Sequence, residues 1–337
     1  MKVFIALILV VLGAVALTIF YFSHMPGQSP APTTSAISEE DRGASERIGE
    51  ICEALAHGIG QRSTTKSANV VAARELIQQK LHKAGMRPVE RAFSSRGNPG
   101  VNVEVELEGS ASNGEVIVLG AHYDTEPYSP GADDNASGCA MLLELARALN
   151  DKPHARTIDI VFFDFGSARF AGTADAGSHF WADEAKRAGK KVAAMLSFDS
   201  IGRFLDVPGS QNGPFPLSLA YPKQGNFVLF AGDLGVRQLV QTCVEVTRSA
   251  GGMPCEGATL PGFLPWLDKS DHYAFRQNGW PAVVVTDTGP LRNSEHGLAT
   301  DTPDRLSYDR MGIASVRLLK VVERLAQAGV LSGVTVN

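Results

Sequence analysis

Cysteine is scarce in this chain, and the four present (Cys52, Cys139, Cys243 and Cys255) form no CxxC pair. That spacing argues against a thiolate zinc site. An excess of positive charge is also lacking: 31 Lys and Arg stand against 36 Asp and Glu, a formal net charge of −5. Without clustered cations there is no electrostatic footprint for a nucleic acid, and that class of partner is excluded. No internal repeat is visible. What is present is ordinary for a globular protein, with 44% hydrophobic and 20% charged residues in a chain of 337. That length supports a sizeable core in one large domain or two small ones.

Charge is missing altogether from residues 3–22, VFIALILVVLGAVALTIFYF, which follow Lys2. About 20 apolar residues at about 1.5 Å rise reach about 30 Å, the thickness of a bilayer core. Residues 1–23 are therefore expected to be a transmembrane helix that makes the membrane a partner. Cleaved signal peptide is the rival reading, because Ala14-Val15-Ala16 resembles a small-residue cleavage site. The run LTIFYF continues past that point and favours the anchor. Lys2 precedes the span, which predicts a cytoplasmic N-terminus and a domain outside the cytoplasm, periplasmic or extracellular. Secretion after signal cleavage is the alternative location. Outside the cytoplasm a disulfide is permitted, and Cys243 with Cys255 is the closest pair in sequence. Buried free thiols are the competing reading, with Cys139 on an apolar helix face. Residues 24–44, rich in Pro, Ser, Thr and Ala, read as a flexible linker, leaving 45–337 as the domain.

From Val101 onward, strand and helix patterns alternate. Strands are predicted at VNVEVELEG from 101, EVIVLGAHYD from 115, TIDIVFFDF from 157, VAAMLSFDS from 192, NFVLFAG from 226 and PAVVVTD from 281. Helices are predicted over 45–56, 67–84, 136–149, 175–188, 233–250 and 309–328. Several strands are continuous apolar runs, as expected where helices cover both faces of a sheet. The fold class that follows is a single α/β domain with a mostly parallel central β-sheet flanked by helices.

In such folds, ligands bind beyond the carboxyl ends of the strands. The residues there are His122 and Asp124 in GAHYDT, Asp133 and Asp134 in SPGADDNASG, Asp199 in SFDSIG, and His296 in TDTGPLRNSEHG. Singly, each has a bland reading: a packed histidine, or an aspartate capping the following helix. Together, an imidazole and several carboxylates at successive strand ends point to a divalent metal, with zinc the best fit. The His-x-Asp spacing suits a ligand and the carboxylate that fixes its tautomer.

The run GAHYDT, PGADDNASG, SFDSIGR, SDHYAF, WPAVVVTDT and TDTPDRLSYDRM resembles metallopeptidase family twenty-eight over about residues 50–328. That family includes bacterial zinc aminopeptidases, and its phosphorylase/hydrolase-like fold is shared with glutaminyl cyclases and the transferrin receptor ectodomain. In active members two zinc ions share a bridging Asp. By position, the resemblance assigns the first metal to His122, Asp134 as the bridge, and Asp199, with Asp124 orienting His122. A Glu-Glu pair should follow TIDIVFF and supply the general base and a ligand for the second metal. Here Gly166 and Ser167 fall at that place. The terminal histidine is expected at Gly297, and His296, one residue earlier, is carried as a candidate ligand. Asp164 and Asp175 are the acids left nearby, and Arg169 is a candidate cation to pair with Asp134 in place of the second metal. Asp271 and His272 resemble a motif that supports the pocket, and Pro303 with Asp304 opens the last helical region. The tracts 209–226 and 251–266 read as loops roofing the cleft.

The resemblance thus implies an exported zinc aminopeptidase-like hydrolase fold with one zinc and weak or no ordinary aminopeptidase activity, a pseudoenzyme candidate. Its cleft would take a peptide or small amide. The alternatives are an active aminopeptidase or amidase working with one metal or unexpected ligands, and a non-catalytic peptide- or protein-binding module.

Overall fold

A computed structural model describes residues 2–32, 37–111, 114–262, 264, 268–327 and 329. Of the expectations above, linker residues 33–36, helix residue 328 and roof residues 263, 265 and 266 lie outside that set. The described chain runs α1 (Lys2–Ser23), α2 (Glu39–Cys52), α3 (Ser67–Lys83), β1 (Val89–Ser95), β2 (Asn98–Leu107), β3 (Glu115–His122), α4 (Gly138–Leu149) and β4 (Thr157–Phe163). It continues with α5 (Gly177–Arg187), β5 (Lys191–Phe198), β6 (Val228–Asp233), α6 (Arg237–Ala250), β7 (Cys255–Leu260), α7 (His272–Gln277), β8 (Ala282–Thr286) and α8 (Tyr308–Leu325).

One eight-stranded sheet has the order β1-β2-β4-β3-β5-β8-β6-β7. Its centre, β4-β3-β5-β8, is parallel, while β1 and β2 and the β6–β8 pairing are antiparallel. Alternation along the central strands decides which face each side chain enters. On β3, Ile117, Leu119 and Ala121 join the larger core beneath α2, α4, α6 and α8, while Val116 and Val118 join a smaller one with Trp181 of α5 and Phe275 of α7. Both faces are thus sealed, as the unbroken apolar strands require. The first elements of the sheet, β1 and β2, form a hairpin, and β1 was not foreseen. The same holds for β7, which lies inside the tract expected to be a loop.

Residues Lys2–Ser23 form a helix of 22 residues. Its end is tied to the domain. The Arg237 guanidinium lies 4.4 Å from the centre of the Tyr21 ring and donates to the His24 carbonyl at 3.0 Å. Among the described residues, no helix is long and apolar enough to cross a membrane. That finding overturns the expected transmembrane anchor, the membrane as a partner, and a location fixed by either. Within the stretch read as a linker, Met25 is buried in the main core, and Ser29 Oγ donates to the Cys255 carbonyl.

All four cysteines are buried and free, so the disulfide permitted between Cys243 and Cys255 is not formed and the buried-thiol reading holds. Cys255 Sγ faces the Val244 carbonyl at 3.7 Å, and burial pushes its thiol up to about 12.

Candidate metal centre

The site gathers where β3 and β5 end at the middle of the sheet. His122 is the last residue of β3, and Asp199 immediately follows β5. Asp134 comes from the loop leading into α4, and the His122 side chain is almost fully buried. His122 Nε2 lies 3.3 Å from Asp134 Oδ1 and 3.8 Å from Asp199 Oδ1. Among the described residues, His122, Asp134 and Asp199 are the one cluster whose donor atoms, all within 4.8 Å of one another, could hold a metal ion.

The donor set fits zinc: one neutral-imidazole position and two carboxylates, with room for a fourth ligand. Its electrostatics fit a cation as well. Burial opposes charge on His122, yet hydrogen bonds to Asp124, Asp134 and Asp199 outweigh it and hold its pKa well above the ordinary value. Burial likewise works against charge on Asp134, but His296 and His122 beside it hold its carboxyl well below the usual range. The pocket thus concentrates negative charge around a single imidazole, the arrangement that a bound divalent ion would neutralise.

A second layer of contacts fixes these donors. His122 Nδ1 lies 3.3 Å from Asp124 Oδ1 and 3.1 Å from the Asp124 carbonyl oxygen. Asp124 in turn accepts the backbone N–H of Gly166 at 2.7 Å and that of Ser167 at 3.1 Å. Gly166 must be glycine for this approach, since a Cβ there would sit 2.1 Å from His122 Cβ. On the Asp134 loop, Asp301 accepts the amides of Asp133 at 2.9 Å and Asp134 at 3.1 Å. Asn135 bridges to β5 by donating to the Phe198 carbonyl and accepting from the Ser200 amide. Asp133 accepts from the Gly202 amide and from Asn293 Nδ2, which makes it a brace for the loops. The buried guanidinium of Arg62 donates to the carbonyls of Leu55, Gly60, Tyr123, Pro130 and Gly131, tying down the chain around both metal-bearing loops.

The remaining sequence candidates fall as follows. His296 Nε2 lies 3.4 Å from Asp134 Oδ2, on the side of that carboxylate away from His122. Gly297, where the family pattern places a histidine, has φ +70° and lets the loop turn His296 inward. Arg169 does not pair with Asp134, which corrects the expected cation substitute. Its side chain is exposed and its guanidinium stacks 5.2 Å from the Phe170 ring. Neither Asp164 nor Asp175 reaches the site. Asp164 accepts the amides of Val101 and Phe165, and Asp175 pairs with Arg96 at 2.5 Å. Asp271 and His272 are buried behind Asp199; burial raises the first to about 7 and lowers the second to about 4. Ser167 Oγ is buried and meets no hydrogen-bond partner among the described residues. Sequence reading missed Arg62 and the clamp made by Asp301. The latter was visible as the first Asp of TDTPD, read as structural without a partner.

The model of peptidase family M28 matches residues 102–219, which include all three donors. The chain is 30% identical over 320 residues to an uncharacterized protein, YfbL, of Escherichia coli (strain K12), covering 92% of this chain and 95% of that one. Among solved structures, a zinc aminopeptidase from Bacillus subtilis matches with a TM-score of 0.63 at 14% identity, over 84% of this chain and 95% of that one. A glutaminyl cyclase of Bacteroides thetaiotaomicron matches at 0.64 and 16% identity, over 83% and 97%. The chain belongs to peptidase family M28, with a zinc-metallopeptidase-like fold and, among its described residues, an atypical single metal-binding triad.

Proposed function

We propose that this protein is a metal-dependent amide hydrolase of the aminopeptidase kind that works with one zinc ion. His122, Asp134 and Asp199 would hold the ion, which when bound supplies Lewis-acid polarisation of the scissile carbonyl and lowers the pKa of water to about 7. Asp124 keeps the His122 ring in one orientation, with the Nδ1 proton held so that Nε2 faces the donor cluster. Gly166 and Ser167 stand where the family's Glu pair is expected, and their amides serve Asp124 instead. Asp134 Oδ2 and His296 line the other side of the cleft, where the carboxylate oxygen could meet a substrate amine.

The observation that carries this reading is the triad itself, with His122 Nε2 3.3 Å from Asp134 Oδ1 and 3.8 Å from Asp199 Oδ1 and all donor atoms within 4.8 Å of one another. An open-sided cavity lined by Leu217, Tyr221, Phe227, Leu229 and Leu291 extends to Thr288. Thr288 precedes Gly289, where an added methyl would lie 3.3 Å from the His296 ring. An apolar substrate side chain suits that lining.

Turnover of leucine 4-nitroanilide by the full chain, with and without added zinc, tests the proposal. Zinc-dependent hydrolysis that a chelator abolishes is the expected result. Tight leucine binding without hydrolysis across a panel of aminoacyl anilides would instead identify a cleft that binds its ligand intact.

A further inference from the structure

We infer that Glu126, four residues beyond His122, is the general base of this site. The inference rests on the hydrolase reading above, and it fills the one role that reading leaves unassigned. Several carboxylates near the triad are otherwise engaged. Asp124 is held by His122 and by the amides of Gly166 and Ser167. Asp133 is held by Gly202 and Asn293, and Asp301 by the amides of Asp133 and Asp134. Asp164 and Asp175 face the β2 side of the sheet, against Val101 and Arg96.

Glu126 is different in each respect. It lies four residues past the end of β3, on the same segment as His122 and Asp124, and is half-buried. One oxygen, Oε1, accepts the backbone N–H of Arg169 at 3.0 Å, which anchors the side chain to the loop carrying Gly166 and Ser167. The other oxygen makes no hydrogen bond among the described residues. A methyl placed on Gly297 would lie 3.8 Å from Glu126 Cγ and 3.9 Å from Asp134 Oδ2. Glu126 and Asp134 Oδ2, whose other neighbour is His296, therefore flank one small space, which stays empty because residue 297 has no side chain. A carboxylate fixed through one oxygen, on a side chain that borders a gap shared with Asp134, has the placement a general base needs.

In the reaction, Glu126 takes a proton from the attacking water while the water oxygen bonds to the scissile carbonyl carbon. The C–N bond then breaks, and Glu126 returns the proton to the departing nitrogen. Water and amide are consumed, a carboxylic acid and an amine are formed, and Glu126 ends as it began. The loss of acids at residues 166 and 167 and the glycine at 297 then belong together: the base enters from the β3 side, and Gly297 leaves room for it.

The test compares wild type, Glu126→Gln and Glu126→Asp on leucine 4-nitroanilide, with zinc per chain and calorimetric binding of leucine measured on the same samples. Glu126→Gln is expected to keep its zinc and its leucine affinity, leave KM within a few fold, and lose roughly 10²–10⁴-fold in kcat. Glu126→Asp keeps the carboxylate and should retain more turnover than the Gln variant. An active wild type with Glu126→Gln within about threefold of it in kcat would overturn the assignment and leave the hydrolase reading standing. Loss of zinc or leucine binding in Glu126→Gln would also overturn it, by making the residue a structural support. A wild type with no turnover fails the hydrolase reading itself, and the base with it.

Discussion

The two oxygens of Asp134 face half-sites built in different ways. On the Oδ1 side stand His122 and Asp199, buried at the ends of neighbouring parallel strands, with Asp124 and two backbone amides behind the imidazole. On the Oδ2 side stands His296, with its side chain 23% exposed and carried by a loop. The residue after it is a glycine, and the chain opposite offers Gly166 and Ser167 as amide donors to Asp124. Rigid strand ends hold donors to the tolerance a metal demands. A loop position that lacks a carboxylate does not, and the described structure correspondingly yields one triad. The difference teaches that one carboxylate can serve two unlike surroundings: its first oxygen belongs to the metal-binding triad, while its second meets a histidine on a loop.

Removing donors from either side breaks the comparison most directly. His122→Ala should abolish zinc binding, with content falling from about one per chain to nearly none by mass spectrometry, whereas His296→Ala should leave zinc content unchanged. Equal loss in both would make the two sides one metal centre. Next in size is Asp124→Asn, which keeps the shape but weakens the orientation of His122. Its zinc affinity is expected to fall by about 10–100-fold in competition with a chelator.

Gly166→Ala probes how tightly the closed side is packed. The added methyl meets His122 Cβ at 2.1 Å and Cγ at 2.6 Å, so the loop or the imidazole must move. Overpacking of this kind costs about 1–3 kcal/mol, readable as a lower urea midpoint with an unchanged slope. The smallest effect is expected at Asp164, outside both half-sites. Burial, and then the charge of Asp124, raise its pKa to about 7. The folded chain thus holds this proton more tightly than the unfolded one, whose carboxyl titrates near about 3.9. Its contribution to stability is complete below that unfolded value and is lost as pH rises through about 7. Asp164→Asn should flatten the stability profile across that window, measured by urea unfolding at stepped pH.

The closed side was largely legible in the sequence, because His122 and Asp199 terminate apolar strand patterns and Asp134 sits in the turn after one of them. Position along a strand fixes the side a residue faces, so a reading from strand ends transfers to space. The open side was not legible in the same way. His296 is one residue from the family's place, a slip that in a strand would turn it to the wrong face. In a loop with Gly297 at φ +70°, the same slip is absorbed. Arg169 failed as a substitute cation for a related reason: its backbone is drawn to Glu126 while its side chain lies over Phe170. The outer strands β1 and β7 escaped notice because neither shows a clean apolar alternation. β1 is mostly exposed, and β7 is six residues with a central glycine between prolines 254 and 261.

The number of zinc ions per folded chain tests the central claim most directly. Native mass spectrometry of the full chain, after saturation with zinc and removal of loosely held ions, is expected to show one ion. A second, equally retained ion would contradict the account, since it would mean that the Oδ2 side of Asp134 is itself a metal site.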